Sequence, residues 1–184
     1  MSKVTFITGN KNKAMFLKKH LGIEVGHKAL DLDEIQSLDI KEVSIHKAKQ
    51  AFSLIKSPVL VEDVGYTILA LGKLPGPFIK WFEKELGLEG ICKLVDGLGN
   101  RKATVEIVYT YFDGRDIVTF ESQERGSIPA KPRGELGFGW NPIFVPDGAI
   151  KTYAEMNEEE TAKYSLRSPV LPKIKMFLSE LDNK

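Results

Sequence analysis

Residues 57–63 read SPVLVED, and the fold turns on how this stretch is understood. Val59, Leu60 and Val61 form an unbroken apolar run, β-branched at both ends, bounded by Pro58 on one side and by Glu62 and Asp63 on the other. A half-buried strand alternates apolar and polar residues, whereas a continuous run points to a strand buried on both faces. Working outward, residues 39–56 fit a helix. Ile40, Val43, Ser44, Ala48, Ala51 and Ile55 recur at three-to-four spacing, and Asp39 stands where an N-cap belongs. Further upstream, VTFITGNKNK (4–13) predicts a short strand through Val4, Phe6 and Ile7, ended by Gly9 and Asn10, with a short helix over 11–21.

Downstream, LPGPFIKWFEKELG and LEGICKLVDG read as two successive short helices, each ended by a glycine. Residues 103–122 carry two strands around Asp113-Gly114, a hairpin signal, with room for a third strand after them. KPRGELGFGW (131–140) is a glycine-rich loop, NPIFVP a short strand, and 169–181 a closing helix with Pro169 near its first turn. Helices interleaved with strands, plus a hairpin, predict an α/β fold with a mixed sheet and flanking helices. At 184 residues, without repeats or a Pro/Gly/Ser-rich linker, the chain is expected to form a single domain over 1–184.

The totals restrict function. With 26 basic and 25 acidic residues there is no global field directed at nucleic acid or a membrane surface, so any anion site must be local. A single cysteine, Cys92, cannot form an internal disulfide, and three scattered histidines supply no zinc-type cluster; a cytoplasmic setting is expected. No apolar run approaches the length of a membrane span.

Glu62 and Asp63 carry the strongest chemical signal, because they are expected at the carboxyl end of a buried strand, where ligands of open α/β sheets gather. Hard oxygen ligands suit Mg²⁺, which takes one or two carboxylates and completes its shell with water and phosphate oxygens. Glu34, in DLDEIQ, is a further acid available to it. The plainer reading is a turn with a helix cap, and for Glu34 a solvated acid. At the end of the first strand, Thr8, freed backbone N–H groups and lysines led by Lys13 form a cradle for an anion, or else a solvated polar loop. Lys47 lies at the edge of the 39–56 apolar stripe, where its ammonium can reach a phosphate or simply snorkel to water. Phe138 and Trp140, in the glycine-rich loop, can stack on a base or anchor the loop. There is no G-x-x-x-x-G-K-[ST] phosphate loop, no dinucleotide fingerprint in the right order and no G-x-S-x-G elbow.

Taken together and in order, these segments resemble the inosine triphosphate pyrophosphatase family over nearly the whole chain. TGNKNK is similar to that family's T/S-G-N-x-x-K opening, VEDVG to its acidic strand end, LPGPFIKWF to its proline-glycine segment, and GFGWNPIF with TYAEM to its base-side loop. The resemblance implies an elongated, two-lobed α/β fold with a central cleft, a homodimer, and Mg²⁺-dependent conversion of a nucleoside triphosphate to monophosphate and pyrophosphate. It implies phosphate binding by Thr8, Asn10, Lys13 and Lys47, with Lys13 also catalytic. Glu34 and Asp63, with Glu62 beside them, would serve the metal and the attacking water. Phe138 and Trp140 would sandwich the base, and Ser165 and Arg167 would read its edge. On that base side the chain departs from the pattern: Asn141 replaces an aspartate, Leu166 a histidine, and Thr161-Ala162 a Lys-Asn pair. The competing expectation is a nucleotide-binding protein whose altered base pocket no longer supports turnover.

Overall fold

The computed structural model describes residues 4–21 and 25–182. In chain order the elements are β1 (Thr5–Ile7), α1 (Lys11–Leu21), β2 (Gly26–Lys28), α2 (Ile40–Ile55), β3 (Val59–Ile68), β4 (Pro75–Gly76), α3 (Ile79–Asp96), β5 (Lys102–Phe112), β6 (Ile117–Ser127), β7 (Val145–Pro146), α4 (Glu158–Tyr164) and α5 (Leu171–Asp182). The strands form one seven-stranded open sheet in the order β2-β1-β3-β5-β6-β7, with β4 paired to β3 off that path. β1 runs parallel to β2 and β3, while β3–β4 and β6–β7 are antiparallel, so the sheet is mixed as expected.

The chain divides into two compact units whose boundaries fall inside β3, β5 and β6. The first comprises the described parts of residues 1–63, 107–122 and 169–184. Its core joins Ile7, Val59 and Val61 from the sheet to Ala48 and Ala51 of α2, with Leu30, Leu32, Phe52, Ile55 and Phe112 packed against them. Val59, Leu60 and Val61 are at most 1% exposed, as their unbroken run required, and each contributes about 1.5–3 kcal/mol by leaving water. Asp39 caps α2 by accepting from the Lys41 and Glu42 amides. The hairpin turn is held by Asp113, whose carboxylate accepts from the Arg115 and Asp116 amides. Gly114 cannot be anything larger: its φ is +98°, and a Cβ there would lie 2.5 Å from the Phe52 ring.

The second unit comprises residues 64–106 and 123–168. Tyr66, Phe144, Tyr153 and Trp140 make its aromatic centre, with Tyr66 in edge contact with both Phe144 and Trp140. Arg101 ties the end of α3 to residues 128–129, donating to the carbonyls of Cys92, Ile128 and Pro129 and pairing with Asp96. Among the described residues no helix is long and apolar enough to cross a membrane.

Several expectations are corrected. β3 does not end at Glu62 and Asp63 but continues to Ile68, because beyond its parallel register with β1 it gains an antiparallel partner in β4. No third strand follows the hairpin directly; β6 runs on to Ser127 instead. The first half of NPIFVP is a single 3-10 turn, Asn141–Ile143, with Pro142 inside it, leaving only Val145–Pro146 as strand. The last helix starts at Leu171, so Pro172 and not Pro169 occupies its first turn. The paired short helices stand as anticipated, as the two halves of α3 on either side of Gly87 (φ 65°, ψ 170°).

Candidate functional site

The parallel register of β1 with β3 ends at Ile7 opposite Val61, so the segment leaving β1 and the acids of β3 emerge side by side. Thr8 and Asn10 then organise the start of α1. The Asn10 amide donates to Thr8 Oγ1 at 3.1 Å, and Asn10 Oδ1 accepts from the amides of Asn12 (2.9 Å) and Lys13 (3.3 Å). This capping fills both acceptor sites of Asn10 Oδ1 and one of the two on Thr8 Oγ1. The Thr8 hydroxyl proton and the Asn10 amide protons are donors that suit an anion. His27 Nε2 lies 3.0 Å from the Thr8 carbonyl and steadies the same junction.

Successive residues of a strand face opposite sides, and Glu62 and Asp63 accordingly take different partners. Lys13, in the first turn of α1, donates to the Glu62 carbonyl at 3.2 Å and stands 3.4 Å from Glu62 Oε1. The other Glu62 oxygen accepts from the Tyr109 hydroxyl of β5. Lys47, from α2, donates to Asp63 Oδ1 at 2.6 Å and reaches Glu34 Oε1 at 3.4 Å. Burial alone would lower the Lys47 pKa, but the charge and hydrogen bond of Asp63, followed by those of Glu34, outweigh it and hold the pKa above its ordinary value. Lys47 is therefore a fixed cation bridging two carboxylates.

Glu34 lies in irregular chain between β2 and α2, and it is placed by a residue that sequence reading did not single out. Gln50 accepts from the Asp33 amide and donates to the Asp33 carboxylate, both at 2.8 Å. Because Gln50 sits one turn beyond Lys47 on α2, that clasp brings Glu34 to Lys47. Tyr109 was missed likewise: in an apolar strand it reads as core, and only the three-dimensional pairing with Glu62 gives its hydroxyl a role.

Asp63 is 8% exposed, and its Oδ2 has no hydrogen-bond partner among the described residues. Leaving a buried carboxylate oxygen unmatched costs about 1–3 kcal/mol or more, which a cation at this oxygen would offset. Among the described residues no three Asp, Glu, His or Cys side chains gather closely enough to hold a metal by themselves. The donor set is one that Mg²⁺ accepts when substrate phosphates and water complete the shell.

The expected base-side residues lie in the second unit. Arg167 covers the Phe138 ring at 5.6 Å from its centroid. Trp140 packs edge-on against Tyr66 (5.3 Å) and Phe144 (5.8 Å). The Asn141 side chain folds back over Gly137, where a Cβ would come within 2.1 Å of its Nδ2. Ser165 ends α4 and uses its hydroxyl oxygen to accept from the Arg167 amide at 3.2 Å. Leu166 is 4% exposed and belongs to the unit's core, which accounts for an apolar residue between two polar ones. Glu83, half-buried on α3, approaches the Gly139 backbone, and desolvation raises its pKa.

A model of the Ham1 family matches residues 4–177. The sequence is 45% identical over 179 residues to inosine triphosphate pyrophosphatase 2 of Trypanosoma cruzi (strain CL Brener), covering 94% of this chain and 90% of that one. It is 38% identical over 185 residues to the dITP/XTP pyrophosphatase of Saccharolobus solfataricus, covering 99% and 96%. Among solved structures, a HAM1 protein from Coxiella burnetii shares the fold with a TM-score of 0.85 at 24% identity, over 98% of this chain and 100% of that chain.

Proposed function

The chain belongs to the Ham1 family, and from that premise we propose that it hydrolyses non-standard purine nucleoside triphosphates of the ITP, dITP and XTP type to the monophosphate and pyrophosphate. One observation carries the reading beyond the family: Lys47 joins Asp63 and Glu34 while Asp63 Oδ2 is buried and has no partner among the described residues. A structural ion pair has no need of a spare carboxylate oxygen, whereas a site for a metal-bound polyphosphate does.

Asp63 and Glu34 would hold the divalent cation, taken to be Mg²⁺, which supplies charge neutralisation on the phosphates when bound. Thr8, Asn10 and Lys13 offer donors to phosphate oxygens, and Lys47 adds a second ammonium. A charge-assisted contact of this kind is worth about 1.5–3 kcal/mol. Asp63 orients the water that attacks the α-phosphorus and takes its proton as the bond to the pyrophosphate oxygen breaks. Lys13 balances negative charge growing on that leaving group. Phe138 and Trp140 bracket the base; a purine would take the ring face that Arg167 now covers, leaving the guanidinium and Ser165 to read the base edge. A homodimer in the cytoplasm is part of the same proposal.

Pyrophosphate release measured with ITP, XTP, dITP, GTP and ATP, each with and without Mg²⁺, tests it. Release from the first three that exceeds release from GTP and ATP and needs the metal is expected. Binding without release, across the whole panel, would mark a nucleotide-binding protein instead.

A further inference from the structure

We infer that Tyr109 is a positioning residue of the phosphate site: its hydroxyl fixes Glu62 as the buried counter-ion of Lys13, so that Glu62 serves the lysine and not the metal. The inference rests on the phosphate-binding role proposed for Lys13. The Glu62 side chain is fully buried, with one oxygen 3.4 Å from Lys13 Nζ and the other accepting from Tyr109. Lys13 also donates to the Glu62 carbonyl at 3.2 Å, so this one residue grips the ammonium twice. Asp63 contrasts with it, since Oδ1 is taken by Lys47 and Oδ2 has no partner among the described residues.

Tyr109 is itself immobilised. It is fully buried on β5, and the next residue, Thr110, donates its hydroxyl to Ser44 of α2 at 2.9 Å in an equally buried contact. A buried phenol needs a partner for its hydroxyl, and here that partner is a carboxylate whose charge would repel a phosphate unless a cation stood between them. Holding the carboxylate against Lys13 turns a repulsive group into the anchor of an attractive one.

The test is calorimetric binding of inorganic pyrophosphate in EDTA, set beside the Mg²⁺ concentration that half-saturates pyrophosphate release. Tyr109→Phe keeps the ring and removes the donor; it is expected to weaken metal-free binding by about threefold to tenfold and to leave the Mg²⁺ requirement unchanged. Glu62→Gln is expected to weaken it too, against the plain electrostatic expectation that deleting a negative charge strengthens anion binding. In a Lys13→Ala background Tyr109→Phe should add nothing, which a general loss of stability would not reproduce. Should Tyr109→Phe fail to fold, the Glu62→Gln result decides by its sign. Tighter or unchanged pyrophosphate binding in these variants, or a raised Mg²⁺ requirement, overturns the inference alone. A wild-type protein that binds no pyrophosphate overturns the phosphate-site reading and this inference with it.

Discussion

At the lysine–carboxylate cluster of the first unit charged groups hold one another, whereas around Phe138 and Trp140 in the second unit aromatic rings and one guanidinium do the holding. Lys13 and Lys47 are placed by Glu62, Asp63 and Glu34, and none of these side chains keeps its position through apolar packing alone. Phe138 and Trp140 are placed by Arg167, Tyr66 and Phe144. The difference decides how each region answers to change. Removing one member of a buried charge cluster strands another, so effects are large and coupled. Removing one ring from a packed set forfeits area and stacking, and its neighbours can partly close the gap.

The sharpest way to break this contrast is Asp63→Asn. It keeps the shape and removes the charge that Lys47 faces, and pyrophosphate release should fall by about 10²–10⁴, the usual range for a lost general base. Unchanged turnover would strip the first unit of its chemical role. Next comes Phe138→Ala, where losing the proposed base stack, worth about 1–3 kcal/mol, should raise KM for ITP by roughly 5- to 150-fold, with kcat little altered. Binding of inorganic pyrophosphate, which has no base, should be untouched. If pyrophosphate weakens as well, the two regions do not act separately.

Much of the first unit could be read from the chain. The apolar run at 59–61, the three-to-four stripe of α2 and the Asp39 cap are local signals, and local physics produced them. The two acids stand out in the chain, but their place inside β3 does not, because nothing in EDVGY announces that β4 will arrive to extend the strand. Tyr109 and Gln50 escaped for a related reason: each acts through a partner 47 or 17 residues away, and no periodicity encodes such a pairing. In the second unit α4 went unnoticed although Asn157 and Glu160 cap it reciprocally, since a seven-residue helix with no buried side chain leaves no apolar stripe to detect.

A smaller effect probes the charge cluster through pH. The Lys47 pKa is raised in the folded protein above its ordinary value of 10.5. A raised lysine lends stability that is complete below the unfolded-state value and is lost as pH climbs through the folded one. The melting-temperature difference between wild type and Lys47→Met should therefore stay constant from about pH 6 to 9 and shrink only above about 10.5. A difference that already falls near neutrality would mean that Lys47 is not held by Asp63 and Glu34 in solution.

The smallest expected change is at Asn141, where the second unit departs from the related pattern. No hydrogen bond ties its side chain to a described residue, and its Nδ2 lies over Gly137, an approach that only a glycine permits. Asn141→Asp exchanges a group that donates and accepts for one that only accepts, so stability should shift within about 0.5 kcal/mol, as at other sites lacking a named destabilising mechanism. Selectivity among bases should still move, because donors and acceptors are matched to a base edge one at a time, and one such bond is worth about threefold to tenfold. The kcat/KM ratio of ITP to XTP is the measurement. A change in that ratio with pyrophosphate affinity constant would assign base choice to the ring-built region and phosphate chemistry to the charge-built one; a matching loss for both substrates would show that Asn141 acts on turnover rather than on recognition.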